Sequence, residues 1–263
     1  MTESGLARAI AFTHDVARRQ AHQIVDMPDG FAVLHEKFPA SYDHNKVILT
    51  APVEPAQALA AVDRVLGGVG LGHRMVVADD LNGAACAPTF VDAGYQHAIN
   101  LIMGHTGAAP DRPADPAIRV EQVDLDALRE STRYEWREQL PHASDEVVDQ
   151  LVERRATLLH GADEVAFLAV RDVAGRVLSR ADVYIDPAHG IAQIEDVMTS
   201  PAYTGRGYAR AIMADGLRRA HAAGCDLVFV VADAQDWPRH LYARLGYVTV
   251  GRSHVFVRPT SKP

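Results

Sequence analysis

The sequence predicts an α+β fold made of two related units, each a mixed, mostly antiparallel sheet flanked by helices. Three observations carry this expectation. After residue 116 the strand and helix patterns run β-α-α-β-β-β-α-β-α-β, an antiparallel meander joined to helical crossovers. Features of the first hundred residues recur in the same order in the C-terminal half. Between the two, residues 104–116 read GHTGAAPDRPADP, with three prolines, two glycines and no apolar period, which is the composition of a connection. The expected division is therefore a unit at 1–103, a linker at 104–116 and a unit at 117–263, both units being of ordinary domain size.

In the second unit, Ile118 to Val123 reads as a short strand and Leu125 to Trp136 as a helix. Ser144 suits an N-cap, with Asp145 and Glu146 in the first turn where they complement the helix dipole. Val148, Leu151 and Val152 give that helix an apolar stripe. Strands are expected at Glu164 to Arg171, Val177 to Ile185 and Ile191 to Met198, with Ala174-Gly175 turning between the first two. A long helix follows from about Gly207 to Ala223, closed by Gly224. Leu227 to Val231 is continuously apolar and β-branched, as in a buried strand. Asp236-Trp237-Pro238 reads as a helix start with Asp236 as N-cap, the helix runs to Leu245, and Tyr247 to Arg258 is the final strand.

The repeat is specific. Val76-Val77-Ala78-Asp79 returns as Val230-Val231-Ala232-Asp233. Gly94-Tyr95 follows Asp79 by fifteen residues, and Gly246-Tyr247 follows Asp233 by thirteen. Phe90 and Tyr242 each stand four positions before those glycines. Where the second copy has Gly205 and Gly207 ahead of its long helix, the first has Leu49-Thr-Ala-Pro-Val-Glu-Pro-Ala56, without glycine. The glycine-rich run Gly67 to Gly72 follows a helix and precedes a strand, so it reads as a cap and turn, not a phosphate loop.

Net charge −8 argues against nucleic acid as a partner, because phosphate backbones need clustered Lys and Arg. Two cysteines, Cys86 and Cys225, are too few for a disulfide framework and read as reduced, buried thiols. The histidines show no metal-ligand spacing, so no metal is expected. No stretch reads as a signal peptide or membrane span, and a cytoplasmic protein is expected.

Gly205-Arg206-Gly207-Tyr208-Ala209 lies between a strand and a helix start, where unpaired backbone N–H groups and the helix dipole favour phosphate. Glycines permit close approach of backbone to a pyrophosphate, and Arg206 adds a cation. Together with Tyr242-Ala-Arg-Leu-Gly246-Tyr247, the stretch Ile194 to Ala209 resembles the GNAT superfamily of acyl-CoA-dependent N-acyltransferases, with its [RQ]-x-x-G-x-[GA] loop and Y-x-x-x-G-[FY] element. The resemblance covers about residues 117–258. Thr204 departs from the family's usual Arg or Gln, and Arg206 is the nearby cation that compensates.

The resemblance implies acetyl-CoA as co-substrate and a primary amine of a small molecule or peptide as acceptor. It places the pyrophosphate on the amides of Thr204, Gly205, Arg206, Gly207, Tyr208 and Ala209, and the pantetheine on Val197, Met198 and Thr199. Glu195 or Asp196 would accept the amine's proton; alternation lets only one of them face the cleft, and the resemblance favours Glu195, since a Glu is frequent near this point in the family. Tyr242 would protonate or hydrogen-bond the leaving thiolate. The first unit would be a degenerate GNAT-like copy without the pyrophosphate loop, shaping the acceptor site or the interdomain contact. A non-catalytic acyl-CoA-binding or sensory module is the alternative, and homodimerisation is left open.

Overall fold

The computed structural model describes residues 3–108, 115 and 117–260, without the side chains of residues 3 and 4. The N-terminal half runs α1 (Glu3–Gln20), β1 (Gln23–Met27), β2 (Gly30–Leu34), β3 (Lys46–Leu49), α2 (Pro55–Gly68), β4 (Arg74–Asp79), α3 (Asp80–Asp92) and β5 (Gln96–His105). The C-terminal half begins with β6 (Glu121–Val123), α4 (Leu125–Gln139), α5 (Asp145–Glu153) and the single turn α6 (Arg155–Leu158). It continues through β7 (Glu164–Arg171), β8 (Val177–Asp186), β9 (Ile191–Thr199), a 3-10 turn at Pro201–Tyr203, α7 (Tyr208–Ala222), β10 (Leu227–Asp233), α8 (Pro238–Arg244) and β11 (Val248–Arg258).

Capping chemistry sets several of these boundaries. Asp124 accepts from Ala127 N at 2.9 Å to start α4, and Ser144 accepts from Val147 N at 3.3 Å to start α5. Asp236 does not cap α8. Trp237 is already helical (φ −63, ψ −36) and makes no side-chain cap bond, so Asp236 sits one residue too early and accepts only from Trp237 N, at 2.6 Å. The sequence reading assigned nothing to α1, whose Ala9, Phe12 and Val16 form a buried stripe at helical spacing.

The repeat is structural. Tyr95 N bonds Phe90 O at 3.0 Å and Tyr247 N bonds Tyr242 O at 3.0 Å, through glycines at φ 84 and φ 91. In the two halves a parallel pair (β3 with β4, β9 with β10) precedes a short helix (α3, α8) and a last antiparallel strand (β5, β11).

The sheets of the two units are joined into one, in the order β1-β2-β3-β4-β11-β5-β10-β9-β8-β7-β6. The last strands are exchanged. β11, from the C-terminal half, pairs with β4 of the N-terminal half, and β5 pairs with β10 of the C-terminal half. β5 and β11 then lie antiparallel to each other, with Asn100 opposite Ser253 near a local two-fold axis. The expected linker starts inside β5, since Gly104 and His105 still pair with Phe229 and Val228. Its residues 109–114 and 116 lie outside the described residues.

Helices α7 and α8 cover one face of the C-terminal half, with Ile212, Met213, Leu217 and Tyr242 packed on Leu168, Val183 and Val230. On the same face α2 and α3 cover the N-terminal half through Val62, Leu66 and Phe90. Across the opposite face α1 lies over the junction, its Phe12 edge-on to Phe229 with ring centroids 5.8 Å apart. Beside α1, Leu128 of α4 packs on Phe167 and Ala169.

Candidate active site

β9 and β10 begin as a parallel pair, Ile191 to Gln193 against Leu227 to Phe229, and then part. The cause lies on the other side of β9. Asp182 pairs with Glu195 and Arg180 with Met198, so two residues of β9, Asp196 and Val197, face one of β8. This is a β-bulge, which bends its strand and breaks its pairing. Asp196 takes φ 54, a left-handed conformation that a non-glycine residue seldom adopts. Beyond the bulge, the backbone of Val197 to Thr199 has no ladder partner on the β10 side. A polar backbone edge of that kind suits an extended, amide-bearing ligand.

The two adjacent carboxylates are separated by their surroundings. Asp196 accepts from Arg155 at 2.7 Å and also bonds Arg180. Burial opposes its charge, but Arg180 and Arg155 hold the carboxyl down to about 2. An anion held so firmly does not take up protons near neutrality, so the structure gives Asp196 a bulge-locking place instead of the base role considered from the sequence. Arg155 also donates to Asp182 at 2.6 Å, and Arg180 to Glu135 of α4. Arg155, Arg180 and Asp182 are each at most 6% exposed, so this chain of opposite charges is a buried clamp on the bulge.

Glu195 is exposed by accessible area at the cleft beneath α1, although protein atoms crowd around its carboxylate. Burial, then Asp43, Asp182 and Asp196, push it up to about 7. That is where a general base works best at neutral pH. Asp43 comes from the N-terminal half and is held by Arg154 at 3.5 Å and Lys46 at 3.9 Å. Tyr242 projects from α8 into the core of the opposite face, and burial, aided by Asp236 and Asp196, pushes its phenol up to about 12. It stays protonated at neutral pH, so its hydroxyl is available as a hydrogen-bond donor.

At the end of β9, Gly205 and Gly207 adopt φ 76 and φ 84, and Gly207 is the N-cap of α7 with no side chain to satisfy the first-turn amides. The space over Gly205 is open, and a Cβ on Gly207 would approach only Ile118, at 3.5 Å. The Arg206 guanidinium stacks over Tyr203, 5.2 Å from the ring centroid. The loop is thus an unfilled set of backbone donors with a cation beside it.

Among the described residues, the N-terminal half lacks the cradle, the parted strands and the carboxyl at the place of Glu195. The Glu54 carboxylate accepts from Gln57 N at 3.0 Å, so an anion already caps α2 where a phosphate would lie. The pairing of β3 with β4 continues through Leu49 and Ala78, and Ala78 is the repeat counterpart of Ala232, beyond the point where β9 and β10 part. The same registers set Ile48 in the place of Glu195.

Sequence reasoning missed Arg155, Arg180 and Asp182. Arg180 and Asp182 stand inside an otherwise largely apolar buried strand, and that pattern was the available signal. Asp43 and Lys46 carry no local signal, because only the tertiary fold brings them to Glu195.

Residues 125–247 match the model of the Acetyltransferase (GNAT) family. That segment, just under half of the chain, is what is similar to the GNAT family. No curated protein sequence matches the chain. Among solved structures it is similar to a GCN5-related N-acetyltransferase from Kribbella flavida, with TM-score 0.65 and 15% identity over 98% of this chain and 96% of that one. A functionally unknown conserved protein from Staphylococcus epidermidis gives TM-score 0.66 and 13% identity over 92% and 96%. A tandem GNAT protein from the clavulanic acid biosynthesis pathway gives TM-score 0.54 and 12% identity over 99% and 96%. The whole chain therefore has the tandem GNAT fold, with the GNAT-family segment in its C-terminal half.

Proposed function

We propose that residues 117–263 are an N-acetyltransferase that moves an acetyl group from acetyl-CoA to a primary amine by direct attack, and that residues 1–103 are a degenerate copy without a cofactor site. The observation that carries this reading is Glu195. It is a carboxyl poised near neutrality, in a water-reachable cleft, next to a strand that the bulge has opened toward a free helix N-terminus.

Each residue then has a task. The amides of Thr204 to Ala209, with Arg206, hold the pyrophosphate, and the open edge of Val197, Met198 and Thr199 bonds the pantetheine amides. Acetyl-CoA supplies a thioester carbonyl. Glu195 takes the proton that the acceptor ammonium must lose before its nitrogen can attack. Tyr242 donates a hydrogen bond to the departing thiolate. The acceptor is a primary amine, and the chemistry requires no metal. No helix among the described residues is long and apolar enough to cross a membrane.

Isothermal titration with acetyl-CoA, on the wild type and on Gly207→Asp, tests the reading. Gly207 needs φ 84, and the aspartate adds a negative charge at the cradle. One molecule bound per chain, and none in the variant, is expected. Binding that survives Gly207→Asp would overturn the assignment of the cradle. Binding without turnover of any amine would favour a sensory module.

A further inference from the structure

Glu195 stands where two cavities meet. One, about 260 Å³, is lined by charged groups including Arg154, Arg155 and Asp182. The other, about 240 Å³, runs beneath α1, between Ile10 and Ala17 above and Ile48, Val77, Ile102 and Val231 below. Both are lined by Asp43, Lys46, Gln193 and Glu195. Together they have the size of a small-molecule site.

The charges at the junction divide unequally. Arg155 is committed to Asp182 and Asp196. Lys46 and Arg154 face a single carboxylate, Asp43. His44 beside Arg154 carries no charge at neutral pH, since burial and then Arg154 push it down to about 3. Lys46 and Arg154 therefore exceed Asp43 by one positive charge, which Glu195, on which Lys46 also acts, balances only when it is ionised. In the cavity beneath α1, the Asp79 carboxylate is occupied by Asn82 at the start of α3, at 2.8 Å, and burial pushes His14 toward its neutral form. Arg252, exposed and without an ion-pair partner among the described residues, lies on the wall of that cavity, but most of the lining is apolar and favours an apolar group.

Building on the acyl-transfer reading, we propose that the acceptor is a small amino acid-like zwitterion, with its amine at Glu195, its carboxylate between Lys46 and Arg154, and an apolar side chain beneath α1. In the reaction the amine nitrogen bonds the acetyl carbon and the C–S bond breaks. The ammonium gives one proton to Glu195 before attack, and the second proton lost by the nitrogen passes to the thiolate beside Tyr242, which departs as the free thiol. The N-terminal half, which lacks the base and the cradle, then supplies the groups that choose the acceptor: Asp43, Lys46 and the underside of α1.

The test compares L-phenylalanine with phenethylamine, which lacks only the carboxylate, as acceptors for the full chain, alongside calorimetry with acetyl-CoA. For the wild type, kcat/KM is expected to favour phenylalanine at least tenfold. Lys46→Met should bring that ratio close to one, Lys46→Arg should keep it, and both variants should retain the wild-type acetyl-CoA Kd. A wild-type preference for phenethylamine, or a ratio unmoved by Lys46→Met, overturns the inference. So does acetyl-CoA binding with no turnover of either amine, which leaves the cofactor assignment standing. Failure to bind acetyl-CoA overturns both.

Discussion

Replacing Glu195 with glutamine should make the protein a far poorer catalyst and a more stable fold, and the two effects should share one pH dependence. The carboxyl is displaced from 4.5 to about 7, chiefly by burial. About a tenth of it is ionised at pH 6 and about nine tenths at pH 8, so kcat/KM should climb about tenfold between them. Glu195→Gln should erase that limb and lower kcat/KM by roughly 10²- to 10⁴-fold, the range for a lost general base. The acceptor's own ammonium limb persists in the variant and is read separately. For stability the sign runs opposite. A carboxyl whose pKa is raised by folding costs nothing below its unfolded value, and its cost grows as pH rises through the folded one. The displacement alone corresponds to about 3 kcal/mol, and water in the cleft screens it to roughly 1–2 kcal/mol. Glu195→Gln should thus raise Tm by roughly 2–8 °C at pH 8 and leave it unchanged at pH 4. A wild-type profile flat from pH 6 to 8, or an equal Tm difference at both pH values, would refute the assignment.

Three further outcomes follow from the same geometry. Tyr242→Phe should lower kcat about 10- to 100-fold, the worth of one hydrogen bond to a charged group, with the acetyl-CoA Kd unchanged by titration. Arg180→Met strips a buried cation from Asp196 and Glu135 and should cost about 3–5 kcal/mol in urea unfolding. Asp43→Asn removes a charge that raises Glu195, so the acid limb of the pH–rate profile should move to lower pH.

The C-terminal meander was legible because its strands are punctuated by turn residues and capped helices, down to the Ser144 cap and the whole span of Glu164 to Arg171. The glycine loop ahead of α7 was legible because glycines at left-handed positions leave a mark in the chain. The exchange of β5 and β11 left none, since a strand's period states which face is buried and not which neighbour it pairs with. Asp196 stood beside the favoured Glu195 as a second candidate base, because the chain does not show what the fold sets against neighbouring acids. Two buried arginines, Arg155 from α6 and Arg180 from β8, make the difference. Asp236 failed as a cap by a single residue, within the margin to which Pro238 fixes the start of α8.

The crossed strands make the two halves hostages of each other. Deleting residues 117–263 would leave β4 and β5 without the strand that lies between them, and deleting residues 1–103 would strip β10 of its outer neighbour. The arrangement is that of a domain-swapped dimer with its two copies spliced into one polypeptide. Such a splice ties the retention of one copy to the solubility of the other. On the acyl-transfer reading, a half without its own chemistry is then kept by selection on folding, and is free to be remodelled into a wall for its partner's substrate.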